Sequence, residues 1–159
     1  MQPRPASAHT RYEALLQLLR AANALWEASR VFFEQWDLSP SQFNVLNLLD
    51  SKPEGLSQTD LGRGLLTHRS NITGLVDRLE RRCLVERKET ASDRRAYRVV
   101  LTPKGSSLLK EILPQYRREA DHVWDGVPPE RIADLLAALD HVTRNTGAVV
   151  VNVPRRNHA

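Results

Sequence analysis

The sequence predicts a mainly α fold with a small β-hairpin, and three observations predict it. Apolar residues recur at three- and four-residue spacing through most of the 159-residue chain. Two short strand-like runs flank one polar tip near its middle. Just before them, two short helix patterns follow one another with a tight connection, and the second has a polar outer face that begins in small donors. Together these describe a winged helix-turn-helix unit set between long N- and C-terminal helices.

Residues 1–10 hold two prolines and little apolar content, so a frayed tail is expected. From Thr10 to Trp36, the residues Leu15, Leu18, Leu19, Ala22, Leu25, Trp26, Phe32, Phe33 and Trp36 trace a broad helical stripe. Such a helix is about 27 residues and roughly 40 Å long, more than a small lobe can bury by itself, which points to an intersubunit role. Leu38-Ser39-Pro40 reads as a stop followed by a new start with proline in the first turn, and Phe43, Val45, Leu46, Leu48 and Leu49 turn inward. Ser57 caps a short helix that runs to about Leu65, with Asp60 three residues on. Thr67 opens the next one, where Ile72, Leu75, Val76 and Leu79 form a buried face. Its other face carries His68, Arg69, Ser70, Asn71, Thr73, Arg78, Arg81 and Arg82.

Leu84–Lys88 and Ala96–Leu101 form the hairpin around a seven-residue tip from Glu89 to Arg95, longer than a tight turn and suited to a protruding wing. Thr102-Pro103 caps a helix that carries Leu109, Ile112, Leu113, Tyr116, Ala120 and Val123 to about Asp125, with a kink expected at Pro114. Pro128-Pro129-Glu130 starts a last helix with Ile132, Leu135, Leu136, Leu139 and Val142 inward, and Gly147 is expected to end it. The tail after it, rich in valine, is compatible with a strand.

Composition narrows the function classes. An apolar share of 41% with 26% charged residues fits a folded, water-soluble domain. No window has the roughly 18 apolar residues of a spanning helix, and the start lacks a secretory signal, so a cytoplasmic location without membrane partners is expected. The one cysteine, Cys83, rules out a disulfide scaffold or a multi-cysteine metal site. The five histidines show no close i+3 or i+4 pairing, so neither a metal nor another cofactor is expected. No glycine-rich phosphate loop, paired-carboxylate constellation or nucleophile elbow is evident, which argues against an enzyme. Net charge divides unevenly: −1 over residues 1–56, +5 over 57–104 and 0 over 105–159. A localised anion-binding surface follows, with DNA its natural first partner.

The run Asp93-Arg94-Arg95 to Leu101-Thr102-Pro103-Lys104-Gly105 resembles the wing of the MarR family of bacterial regulators, in which a D-R-R tip leads to a strand ending L-T-x-x-G. Similar to that family too are Leu38-Ser39-Pro40-Ser41-Gln42-Phe43-Asn44-Val45-Leu46 and Asn71-Ile72-Thr73-Gly74-Leu75-Val76-Asp77-Arg78-Leu79-Glu80. The resemblance implies a homodimeric, sequence-specific transcriptional regulator, most simply a repressor of a pseudo-palindromic double-stranded DNA operator relieved by a small-molecule effector. It implies four segments: a tail and dimerisation helix over 1–37, the winged helix-turn-helix domain over 38–104, C-terminal dimerisation helices over 105–147 and a tail over 148–159. The alternative is a winged-helix interaction or architectural module that does not read bases.

Residue roles follow from chemistry. His68, Arg69, Ser70, Asn71 and Thr73 are candidates for the major groove, since arginine suits guanine and asparagine suits adenine; the plainer reading makes them caps and solvated surface. Arg94 and Arg95 sit where a guanidinium can enter the minor groove, with Arg94 placed ahead of its neighbour. The resemblance gives Asp93 a structural part, pairing with an arginine of the tip. Ser57 and Gln58 can hold a backbone phosphate with Arg78 adding charge, or Ser57 merely caps and Arg78 pairs locally. Cys83 stands where the family commonly has glycine, and a structural role is the better reading. The family's effectors, small aromatic or anionic molecules, enter a crevice between the dimer helices and the DNA-binding lobe; Trp26, Trp36, His122 and Trp124 are its aromatic candidates, against plain packing for each.

Overall fold

The computed structural model describes residues 8–65, 72–90 and 93–152, and side chains for residues 10–65, 72–89 and 97–146. Among them the order is α1 (Ala8–Glu34), α2 (Pro40–Asp50), α3 (Gln58–Gly64), α4 (Ile72–Arg81), β1 (Val85–Thr90), β2 (Asp93–Leu101), α5 (Pro103–Val123) and α6 (Pro129–Asn152). The chain divides into two compact units, Met1–Leu113 and Pro114–Ala159. Thr67, proposed as a cap, lies outside the described residues, as do His68, Arg69, Ser70 and Asn71.

In the first unit, helix ends are fixed by local chemistry. Glu34 is the last α1 residue, two short of the expected Trp36, because Asp37 takes a left-handed φ of 52° and closes the helix. Asp37 N–H donates to Glu34 O (2.9 Å) and Leu38 N–H to Phe33 O (3.2 Å), the Schellman pattern, with Phe33 and Leu38 both buried. Helix α2 opens on a full capping box. Gln42 N–H donates to Ser39 Oγ (3.2 Å), and Ser39 N–H donates to Gln42 Oε1 (2.8 Å). Phe33 and Phe43 then stack at 4.3 Å, and Val45, Leu46 and Leu49 complete the inner face of α2.

The buried faces of α3 (Leu61), α4 (Ile72, Leu75, Val76, Leu79) and the hairpin (Val85, Val99, Val100) belong to the same core, which Leu109 and Ile112 of α5 extend. All four apolar residues expected inward on α4 are buried. The hairpin is antiparallel, with Val85 opposite Leu101 and Glu89 opposite Tyr97. It is longer than expected. The ladder continues to Thr90 opposite Asp93, so strand replaces most of the seven-residue tip, and a register irregularity after Glu89 takes up the extra residues of β2. A feature missed in the sequence is a third, one-residue rung: Leu56 and Val99 exchange both backbone hydrogen bonds (3.0 and 2.8 Å). Gly55 makes this approach feasible, since at its φ of 73° a Cβ would come within 2.5 Å of Val99 O. Gly105 serves the other edge, where a Cβ would stand 2.0 Å from Leu84 O.

Thr102 caps α5 as expected, accepting from Gly105 N–H at 3.0 Å. The helix runs on through Pro114, which removes one i→i−4 bond without ending it. In the second unit, α6 does not stop at Gly147. It continues to Asn152, so residues 148–152 are helical and not strand; glycine weakens a helix by only about 1 kcal/mol and does not prohibit one. From Leu113 to Thr146 no side chain is buried, and Leu135, Leu136 and Val142, expected inward, are exposed in the single chain. No described helix is long and apolar enough to cross a membrane.

Candidate nucleic-acid interface

Helices α3 and α4 present the polar face that the sequence marks, and their neighbours brace it. At the start of α3, Ser57 Oγ accepts from Asp60 N–H (3.1 Å) and donates to Asp60 Oδ2 (2.7 Å). Ser57 is therefore an N-cap, and its hydroxyl is already engaged. That hydrogen bond, followed by the charge of Arg63, holds the Asp60 carboxyl below its ordinary range against the opposing pull of desolvation. With a lowered folded value, the stabilisation is present above the ordinary carboxylate range and is lost as pH falls through the lowered one.

Gln58 and Thr73, singled out separately, come together: Thr73 Oγ1 donates to Gln58 Oε1 at 3.1 Å across the two helices. Their polar ends join the first turn of α4 to α3. Farther along α4, Arg78 and Arg81 are exposed, and each Nε donates to the carbonyl four residues back, Gly74 O at 3.0 Å and Asp77 O at 3.4 Å. Both guanidinium groups are thus held along the helix at its solvent face.

The wing is braced to α4 by a residue that the sequence reading passed over. Arg87 on β1 pairs with Asp77 Oδ1 (2.5 Å) and with Glu80 Oε2, while its own N–H donates to Glu80 Oε1 (3.1 Å). Hydrogen bonding to Asp77, aided by the charges of Glu80 and Asp77, raises its pKa above the ordinary arginine value despite desolvation. The signal was available. Two carboxylates at i and i+3 on a helix meant for a polyanion repel it unless a cation from elsewhere neutralises them. Arg82 likewise turns to protein partners, the carbonyls of Trp36 and Asp37. Part of the positive excess in the middle third is therefore structural. On the wing itself Lys88 stands directly opposite Arg98 across the ladder. Like charges facing across strands are unfavourable alone, and here Lys88 is offset by its own ion pair with Glu86 (3.0 Å).

The remaining candidates are scattered in this respect. Asp93, Arg94 and Arg95 lie on β2, and their side chains are outside the described ones. Of the aromatic residues, Trp36 donates through Nε1 to Glu111 Oε1 (2.7 Å) and leans on Phe32, a packing role, while Trp26 is exposed. Both belong to the first unit. His122 and Trp124 belong to the second, where His122 Nδ1 lies 3.2 Å from Asp125 Oδ2 and Trp124 is exposed.

Comparison with known proteins bears on this geometry directly. Residues 36–96, from the end of α1 to the wing, match the model of the MarR family. The chain is also 30% identical over 128 residues to the HTH-type transcriptional regulator MhqR of Bacillus subtilis (strain 168), covering 80% of this chain and 88% of that one. The chain belongs to the MarR family. Among solved structures, the transcriptional repressor CouR bound to a 23-mer DNA duplex is similar with a TM-score of 0.72 and 31% identity, over 80% of this chain and 89% of that one. CouR from Rhodococcus jostii RHA1 bound to p-coumaroyl-CoA gives a TM-score of 0.72 at 25% identity, over 79% and 88%. As a MarR-family protein the chain is a DNA-binding transcription regulator and not an enzyme, and α3, α4 and the hairpin are the winged-helix parts of that fold.

Proposed function

We propose that this MarR-family regulator acts as a homodimeric, sequence-specific repressor of a pseudo-palindromic operator, released by a small aromatic or anionic effector. The observation that carries the reading is the outer face of α4, where Arg78 and Arg81 are exposed while Arg87 of the two-stranded wing neutralises Asp77 and Glu80. In this reading Thr73, with residues 68–71 just before α4, approaches base edges, and Gln58, Arg78 and Arg81 face the phosphate backbone. Arg94 and Arg95 serve the minor groove, with Asp93 in a structural part. Ser57 stays a cap. Dimerisation is supported by the exposed apolar side chains of α1 (Tyr12, Leu15, Leu19, Leu25) and α6 (Leu135, Leu136, Val142), which one copy leaves open to water. Repression and effector release are supported by CouR, named a repressor and solved both on DNA and with an acyl-CoA ligand.

The test is selection from a random pool of duplexes by the purified protein, with its mass measured in solution. A recovered palindrome whose half-sites lie about one helical turn apart, bound with affinity that falls steeply with salt, is the expected result. Sequence-blind recovery, or a monomer at working concentration, overturns the proposal.

A further inference from the structure

Arg82 directly follows the last residue of α4, and its guanidinium turns to the backbone beyond α1. Nη2 donates to Trp36 O (2.9 Å), Nη1 donates to Asp37 O, and Nη1 lies 3.7 Å from the Asp37 carboxylate. Those carbonyls follow the last turn of α1, a helix with no basic residue of its own there. A cation at this end complements the helix dipole and satisfies carbonyls left without intrahelical donors, and here it comes from a different helix. The main chain at the same spot is anchored on its other side: Lys104 Nζ donates to Arg82 O (3.0 Å) and Thr102 Oγ1 donates to Cys83 O (2.7 Å). Trp36, whose carbonyl Arg82 takes, closes the ring by donating to Glu111 of α5. The ends of α1 and α4 and the first half of α5 are thus joined by polar contacts around one arginine, which is only one-third exposed (32%).

We infer that Arg82 is a positioning residue that fixes the angle between α1 and the reading helix α4, and through it the separation of the two reading helices in a dimer. The inference rests on the dimeric reading above, in which the exposed apolar face of α1 is held by the second copy. With α1 held there, the direction of α4 relative to its counterpart depends on the junction at Arg82. A planar guanidinium spans two carbonyls in fixed geometry. A lysine keeps the charge but not the span.

The experiment compares wild type with Arg82→Lys and Arg82→Met on duplexes carrying the selected half-sites at native spacing, one base pair shorter and one longer, and on a single half-site. Wild type is expected to lose about tenfold or more when spacing changes, because simultaneous engagement by two sites depends on geometry. Both variants are expected to lose about tenfold at native spacing and to discriminate spacings by less than about threefold. They should match wild type on a single half-site and in the slope of log affinity against log salt, since no phosphate contact is removed. Arg82→Lys with wild-type spacing preference beside an Arg82→Met that loses about one unit of salt slope would make Arg82 a phosphate contact and overturn the inference. So would unchanged spacing preference in both. Wild type that ignores spacing altogether removes the dimeric reading itself, a different failure visible in the first row of the data.

Discussion

Two regions of this chain differ in whether a single copy completes them. Between Phe33 and Leu101, capped helices, a Schellman turn, a bridged hairpin and a stacked aromatic pair enclose a core in which Val45, Leu46, Leu61, Val76 and Leu79 are fully buried. Along α1 up to Leu25, and from Leu113 to Thr146, no described side chain is buried, although the apolar period is as clear in the sequence. Leu19 is 53% exposed and Leu136 62%. The same helical pattern therefore carries two meanings. In short segments linked by tight turns it builds an internal core, and in long helices it leaves apolar side chains open to water, the surface that the proposed dimer would cover.

The contrast can be broken most forcefully at those surfaces. Leu19→Glu combined with Leu136→Glu should weaken self-association by about a thousandfold or more, roughly 4 kcal/mol, by placing charges in a desolvated contact. Sedimentation equilibrium reads this directly, and an unchanged mass would mean that the exposed faces are not the interface. In the enclosed region, Leu46→Ala should cost about 3 kcal/mol through lost burial and a residual cavity, measured by urea denaturation. Arg87→Met, which leaves Asp77 and Glu80 without their cation, should lower stability by about 1–2 kcal/mol and weaken DNA binding without changing its salt slope. The smallest effect is a gain. Cys83 holds a left-handed φ of 56° just past α4, where Leu84 N–H donates to Leu79 O (3.0 Å), so Cys83→Gly should raise stability by roughly 0.5 kcal/mol after the extra chain entropy of glycine is deducted. A loss on thermal melting would mean that the thiol has a packing role.

The order of elements was legible because each boundary carries a local chemical mark: Ser39-Pro40 for α2, Ser57 for α3, Thr102-Pro103 for α5. The four inward residues of α4 followed from spacing alone. What escaped depends on contacts between segments distant in sequence. Nothing local says that Leu56 will pair with Val99, that Arg87 will claim both acids of α4, or that Arg82 will turn back to α1, 45 and 46 residues earlier. The end of α6 was misread for the opposite reason, since a local mark at Gly147 was given more weight than a helix interior requires.

The Arg87 clamp has one further consequence. Because the hairpin and the reading rod are riveted together by a cation shared between two acids, the pair travels as one solid tool head. In the effector-released reading proposed above, a signal would then swing that head as a whole at its junction with α1, instead of bending the fingertip.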